Sequence, residues 1–198
     1  QRQMWIGDRG VDLLQRVRGM FTCVIWDKNK QELFGARDHF GIKPFYYAKM
    51  NGTFMYASEI KSLLRHPDFV KELNAEALKP YMTFQYPAIG ETFFKGVYKL
   101  PEGHYFTYRD GKMDIHRYYD EDFREGKQKL GELVNSIDQT VCDSVKAHQI
   151  ADVEVGSFLS SGVDSSYVAA VARPQHTYSI GFGKGTYNES QQAGELAD

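Results

Sequence analysis

The sequence predicts an α+β domain followed by the start of an α/β domain. Three observations carry that prediction. Up to about Tyr119, short runs of β-branched and aromatic residues alternate with turn signals and brief helical stretches. Residues 120–129 then form a polar, charged bridge. Beyond it, apolar residues first recur at helical spacing and then follow a strand, helix, strand, helix order with short connections, the pattern of a parallel sheet covered by helices. The boundary falls near residues 120–128 and divides a domain at 1–122 from one at 123–198.

Taken in order, Val11, Leu14 and Val17 mark a helical stripe over residues 11–17 that stops at Gly19. Residues 21–26 (FTCVIW) read as a strand, 27–30 as a turn, and 32–37 as the hairpin partner. Residues 44–48 and 53–57 form a second strand pair around Asn51-Gly52, a strong hairpin-turn signal. Ser58 is expected to N-cap a short helix over 59–64, and another short helix follows Asn74 through Leu78. Residues 103–108 and 113–119 make a further hairpin around Asp110-Gly111. Leu130, Leu133, Val134, Ile137, Val141 and Val145 line one face of a long helix. Residues 153–159 read as a strand, 164–171 as a helix, 176–182 as a strand, and the chain turns helical again from Asn188.

The formal net charge of -2 and pI of 6.3 leave no basic footprint for nucleic acid. Apolar runs are too short to span a membrane, and no charged-then-apolar signal opens the chain. Cys23 and Cys142 lie far apart in apolar surroundings, which argues against a disulfide framework and for a reducing cytoplasm. The chain starts Gln1-Arg2-Gln3 and ends inside a helical pattern, so it reads as an excerpt, with parts of any active site expected elsewhere.

The string that carries chemistry is Phe158-Leu159-Ser160-Ser161-Gly162-Val163-Asp164-Ser165-Ser166. It follows a strand and opens a helix, a geometry that aims backbone N–H groups and the positive helix end at one spot. Gly162 admits close backbone approach, and the four serines add hydroxyl donors. Asp164 is out of place for anion binding alone. A carboxylate beside a phosphate makes sense when a divalent cation lies between them. The bland alternative is a Ser/Asp-rich turn capping a helix. A Walker loop is excluded, since its Lys and wider glycine spacing are missing.

Ser160 to Ser166 resembles the SGGxDSS pyrophosphate loop of the ATP pyrophosphatases, with Ser161 where that pattern has its second glycine. Asp152-Val153-Glu154-Val155-Gly156, with His148 upstream, and Tyr178-Ser179-Ile180-Gly181-Phe182 resemble the flanks of this loop in the asparagine synthetase family. The resemblance implies that Leu159 and Ile180 flank an adenine, with Ser179 and Gly181 near ribose and base. It implies too that residues 160–166, Val163 among them, hold the pyrophosphate and that Asp164 helps hold Mg²⁺. Plain core packing is the competing role for Leu159 and Ile180. Earlier, Arg18-Gly19-Met20-Phe21, Trp26-Asp27, the run from Arg37 to Tyr47, the run from Ala57 to Leu63, and Leu100 to Tyr105 with Tyr118-Tyr119 are similar to the later part of class II amidotransferase glutaminase domains. The implied fold is the C-terminal part of an Ntn-type αββα glutaminase sandwich, then the start of a parallel-sheet ATP-pyrophosphatase domain.

No glutaminase nucleophile is expected here, because that family uses an N-terminal cysteine and residue 1 is Gln1. Cys23 and Cys142 read as structural, Arg37-Asp38 as an ion pair or turn anchor, and the histidines show no metal-ligand spacing. The resemblance implies a glutamine-dependent ligase that adenylates aspartate with ATP and Mg²⁺ and amidates it with ammonia from glutamine, as a homodimer through the glutaminase half. The rivals are an amide- or lactam-forming relative and a non-catalytic homologue. This stretch alone is expected to be inactive.

Overall fold

The computed structural model describes residues 10–86, 88–181 and 190–197. The chain divides into two compact units, one ending at Phe123 and the other beginning at Arg124. Among the described residues, no helix is long and apolar enough to cross a membrane.

The first unit is α+β, with two antiparallel sheets. Its strands are β1 (Thr22–Asp27), β2 (Glu32–Arg37), β3 (Tyr46–Met50), β4 (Thr53–Ala57), β5 (Val97–Lys99), β6 (His104–Arg109) and β7 (Lys112–Arg117). One sheet has the order β1-β2-β6-β7 and the other β4-β3-β5. Two of the hairpins turn where the sequence says they should. Asn51 and Gly52 have φ of 49° and 83°, and Asp110 and Gly111 have 50° and 75°. Positive φ at both central residues matches the turn's twist to that of the strands, and Asn, Asp and Gly tolerate it best.

Strand alternation then sorts the side chains. Tyr47 and Phe54 leave one face of the three-stranded sheet and join Phe45, Leu100 and Phe106, with Val24, Leu33, Tyr108 and Met113 from the four-stranded sheet. Residues from both sheets thus share one core. Ala48, Met55 and Val97 leave the opposite face and pack with Leu63 and Ile60 of α1 (Ile60–Leu63). Gly35 in β2 sits under the Phe106 ring, where a Cβ would lie 2.2 Å from a ring carbon. The ring covers bare backbone there and no side chain fits.

Three local expectations change. The helix over 11–17 is a single 3₁₀ turn, Gly10–Leu13, followed by buried Leu14. One short stripe does not offset the cost of nucleating a longer helix. Ser58 is not the N-cap of α1; Glu59 occupies that position, without a side-chain cap bond. Burial of Leu63, with Ile60 packed against the same core, fixes where this one-turn helix starts. Helix α2 (Leu78–Phe84) extends beyond the stretch expected, and β5 was not expected at all.

The second unit contains α3 (Leu130–His148), β8 (Ser157–Phe158), α4 (Val163–Ala172), β9 (Thr177–Tyr178) and α5 (Ser190–Ala197). Strands β8 and β9 pair in parallel, Ser157 with Thr177 and Phe158 with Tyr178, and α4 is the crossover between them. The expected strands at 153–159 and 176–182 contract to two residues each, and Val153 is left 78% exposed. Parallel strands need cover on both faces, and two paired strands supply little of it. Phe182 and Asn188, expected in a strand and a helix, lie outside the described residues. Helix α3 runs as expected, but of its apolar face only Val145 is buried, while Leu130, Val134 and Ile137 are exposed.

Candidate functional site

Leu159 continues the β8–β9 ladder, its N–H donating to the Tyr178 carbonyl at 2.9 Å, and its side chain is buried. The chain then leaves the sheet through exposed Ser160, Ser161 and Gly162, and Gly162 is the N-cap of α4 with φ -73° and ψ 149°. A Cβ at Gly162 would lie 3.2 Å from Ser160 Oγ, so a larger residue would crowd the loop.

Serine hydroxyls tie the loop to the first turn of α4. Ser160 Oγ and Ser165 Oγ are 2.7 Å apart, and Ser160 Oγ accepts from the Gly162 N–H at 3.2 Å. Ser166 Oγ donates to the Gly162 carbonyl at 2.7 Å. Ser179 Oγ donates to the Leu159 carbonyl at 2.6 Å and so holds the start of the loop from just past β9. The opening N–H groups of α4 have no intrahelical acceptor, so this end carries partial positive charge toward solvent. Asp164, in that first turn, is exposed.

Beside this end is a cavity of about 330 Å³ lined by Phe158, Leu159, Ser160, Ser165, Tyr178, Ser179 and Ile180. Five of the residues singled out in the sequence meet there: Leu159, Ser160, Ser165, Ser179 and Ile180. Ser161, Gly162, Val163, Asp164 and Ser166 belong to the adjoining loop and first turn, not to the cavity wall, and Gly181 lies just past Ile180. Core packing describes Leu159, at 4% exposure, but not Ile180, at 74%. Sequence reading included Phe158 and Tyr178 in these strings but gave them no role in the site; their rings stand edge to face at 6.5 Å. They are a registered pair across β8 and β9, and that register became visible only once the strands were paired.

No group of three or more His, Cys, Asp or Glu side chains able to hold a metal occurs among the described residues. One exposed carboxylate among hydroxyls suits a Mg²⁺ that keeps its waters and shares phosphate oxygens, and it does not suit a cation caged by protein.

In the first unit, Arg37 and Asp38 anchor a turn. The Arg37 guanidinium donates to the carbonyls of Lys43 at 2.8 Å, Leu100 at 2.7 Å and Gly41. Asp38 accepts from the N–H groups of Ile42 and Lys43, both at 2.9 Å. Burial lowers the Arg37 pKa. Burial raises that of Asp38, but the backbone N–H bonds, those of Lys43 and Ile42 first, outweigh it and hold the carboxyl below its ordinary value. Tyr118 donates its hydroxyl to the Arg37 carbonyl at 2.8 Å, and burial pushes its pKa up to about 12. Cys23 is half-buried and burial raises its thiol pKa, which disfavours the reactive thiolate.

The glutamine amidotransferase domain family matches residues 4–119, and the asparagine synthase family matches residues 136–198. Three glutamine-hydrolysing asparagine synthetases of Bacillus subtilis align at 40%, 31% and 34% identity, over 92%, 86% and 87% of this chain. The chain spans only 29%, 30% and 25% of those relatives. Among solved structures, the allosteric regulatory enzyme of purine biosynthesis overlays 97% of this chain and 39% of its own at 14% identity. Its TM-score of 0.38 is too low to carry weight.

Proposed function

The chain belongs to the glutamine amidotransferase domain family, and from that premise we propose that it is part of a glutamine-hydrolysing asparagine synthetase. In this reading the first unit belongs to the glutaminase domain, which releases ammonia and glutamate from glutamine and water. The second unit begins the synthetase domain, an ATP-pyrophosphatase fold. There the β-carboxylate of aspartate attacks the α-phosphorus of ATP, a β-aspartyl adenylate forms, and pyrophosphate leaves. Ammonia then adds at the acyl carbon, giving asparagine and AMP. The chemical need is for a leaving group, because a carboxylate oxygen departs poorly and AMP departs well. The same reading carries a cytoplasmic homodimer joined through the glutaminase half.

The observation that supports it best is the cavity joining Leu159 and Ile180 to Ser160, Ser165 and Ser179 at the start of α4. Apolar side chains beside a row of hydroxyls and a positive helix end suit a ligand with a flat base at one end and phosphates at the other. Leu159 and Ile180 would flank the adenine, and Ser179 and Gly181 would lie near ribose and base. Ser160, Ser161, Ser165 and Ser166, with the N–H groups from Gly162 and Val163 onward, would orient the departing pyrophosphate. Asp164 would hold Mg²⁺, which when bound spreads the charge of the leaving phosphates.

The test is Asp164→Asn in the full-length protein. Aspartate-dependent exchange of pyrophosphate into ATP should fall by about a hundredfold or more, with glutamine hydrolysis unchanged. Exchange at the wild-type rate would remove the assignment.

A further inference from the structure

Helices α3 and α4 are in contact, but not along their whole length. Between them lies a cavity of about 490 Å³, lined by residues that include Val141, Val145, His148, Val155, Val168 and Ala172. Over the stretch bordering the cavity, side chains of the two helices do not interdigitate, so dispersion contacts are lost there and the rotation of one helix against the other is less firmly fixed. Polar ties then count for more, and among the described residues these include two that join the helices. Gln149 Nε2 donates to the Ala172 carbonyl at 2.6 Å, at the far end of α4 from the loop. At the loop end, the Tyr167 hydroxyl donates to Asp138 Oδ1. Cys142 Sγ, one turn along α3, lies 3.9 Å from the same carboxylate oxygen and steadies it from its own helix.

Tyr167 directly follows Ser165 and Ser166, the two serines that bond back to the loop. Turning α4 about its axis therefore moves both hydroxyls and the first-turn N–H groups together. We propose that Tyr167 is a positioning residue for the loop over 160–166: its hydroxyl, held by Asp138, sets the rotation of α4 and so where those donors meet an anionic ligand. The inference rests on reading the loop as a pyrophosphate site. The hydrogen bond to Asp138, ahead of burial, pushes the tyrosine pKa up to about 12, so the phenol keeps its donor proton at neutral pH. Because Asp138 is exposed, the pair adds little to global stability. A positioning role therefore separates cleanly from a structural one.

The experiment compares Tyr167→Phe, Asp138→Ala, their double variant and Asp138→Asn in the full-length protein. Tyr167→Phe should raise the KM for ATP in pyrophosphate exchange about fivefold, the worth of one hydrogen bond, and move kcat and Tm little. Asp138→Ala should do the same, and the double variant should be no worse than either single one. Asp138→Asn keeps an acceptor oxygen and should stay close to wild type. In the ligand-free protein, amide exchange at residues 163–166 should quicken in Tyr167→Phe. An unchanged KM with unchanged amide exchange, additive losses in the double variant, or a fall in Tm with no change in KM would each overturn the proposal. A wild-type protein that fails to bind ATP and pyrophosphate would instead sink the reading of the loop, and the amide exchange would still decide the tie.

Discussion

Each unit places an aspartate shortly after a strand, Asp38 in a turn and Asp164 in the first turn of a helix, and the two meet opposite fates. Asp38, after β2, is 1% exposed, and backbone N–H groups take up its carboxylate. Its neighbour Arg37 is 2% exposed and directs its guanidinium at three carbonyls. The turn closes on itself, so it cannot receive a ligand without opening. Asp164, after β8, stays in solvent at the head of α4, among hydroxyls that bond mostly to one another and to the loop. Hydroxyl pairs exchange partners easily, whereas a buried guanidinium on three carbonyls does not. Charged residues in a turn therefore do not by themselves mark a site. What marks one is whether the protein has already satisfied them.

The largest expected effect would come from breaking the closed turn. Arg37→Met strands the carbonyls of Lys43, Leu100 and Gly41 and should destabilise the first unit by about 3–5 kcal/mol in calorimetric or denaturant unfolding. A loss below about 1 kcal/mol would mean that water replaces the guanidinium and that the turn is as open as the loop.

Acid should sharpen the contrast less violently. The Asp38 carboxyl is held below its ordinary value in the folded state. Its contribution is thus complete above the unfolded value of about 4 and fades as pH falls through the lower folded value. Thermal melts from neutral pH down to about 3 should show Asp38→Asn losing less stability below pH 4 than wild type. Identical acid limbs would show that the carboxylate is not what ties the turn.

The smallest effect belongs to the open loop. Ser161→Gly restores the glycine of the resembled loop and should leave ATP binding equal or slightly stronger, measured by titration calorimetry on the full-length protein. A tenfold loss of affinity would give the Ser161 hydroxyl a specific role and make this loop less adaptable than the comparison holds.

Much of this was decided locally and could be read from the chain. Asn51-Gly52 and Asp110-Gly111 specified two hairpins because their backbones adopt positive φ cheaply. Strand geometry then put Tyr47 and Phe54 on one face of the pair and Ala48 and Met55 on the other. The helical stripe from Leu130 to Val145 gave α3, and the serine-rich string after a strand gave the loop and the start of α4. Tertiary structure decided what lies between distant segments. It set β2 beside β6, slid β5 in beside β3, and carried Arg37 to the carbonyl of Leu100. It also drew Phe158 and Tyr178 into the cavity and brought Tyr167 to Asp138. Turn chemistry and side-chain periodicity act over a few residues, whereas the pairing of distant strands and helices follows from how much apolar surface the whole arrangement buries.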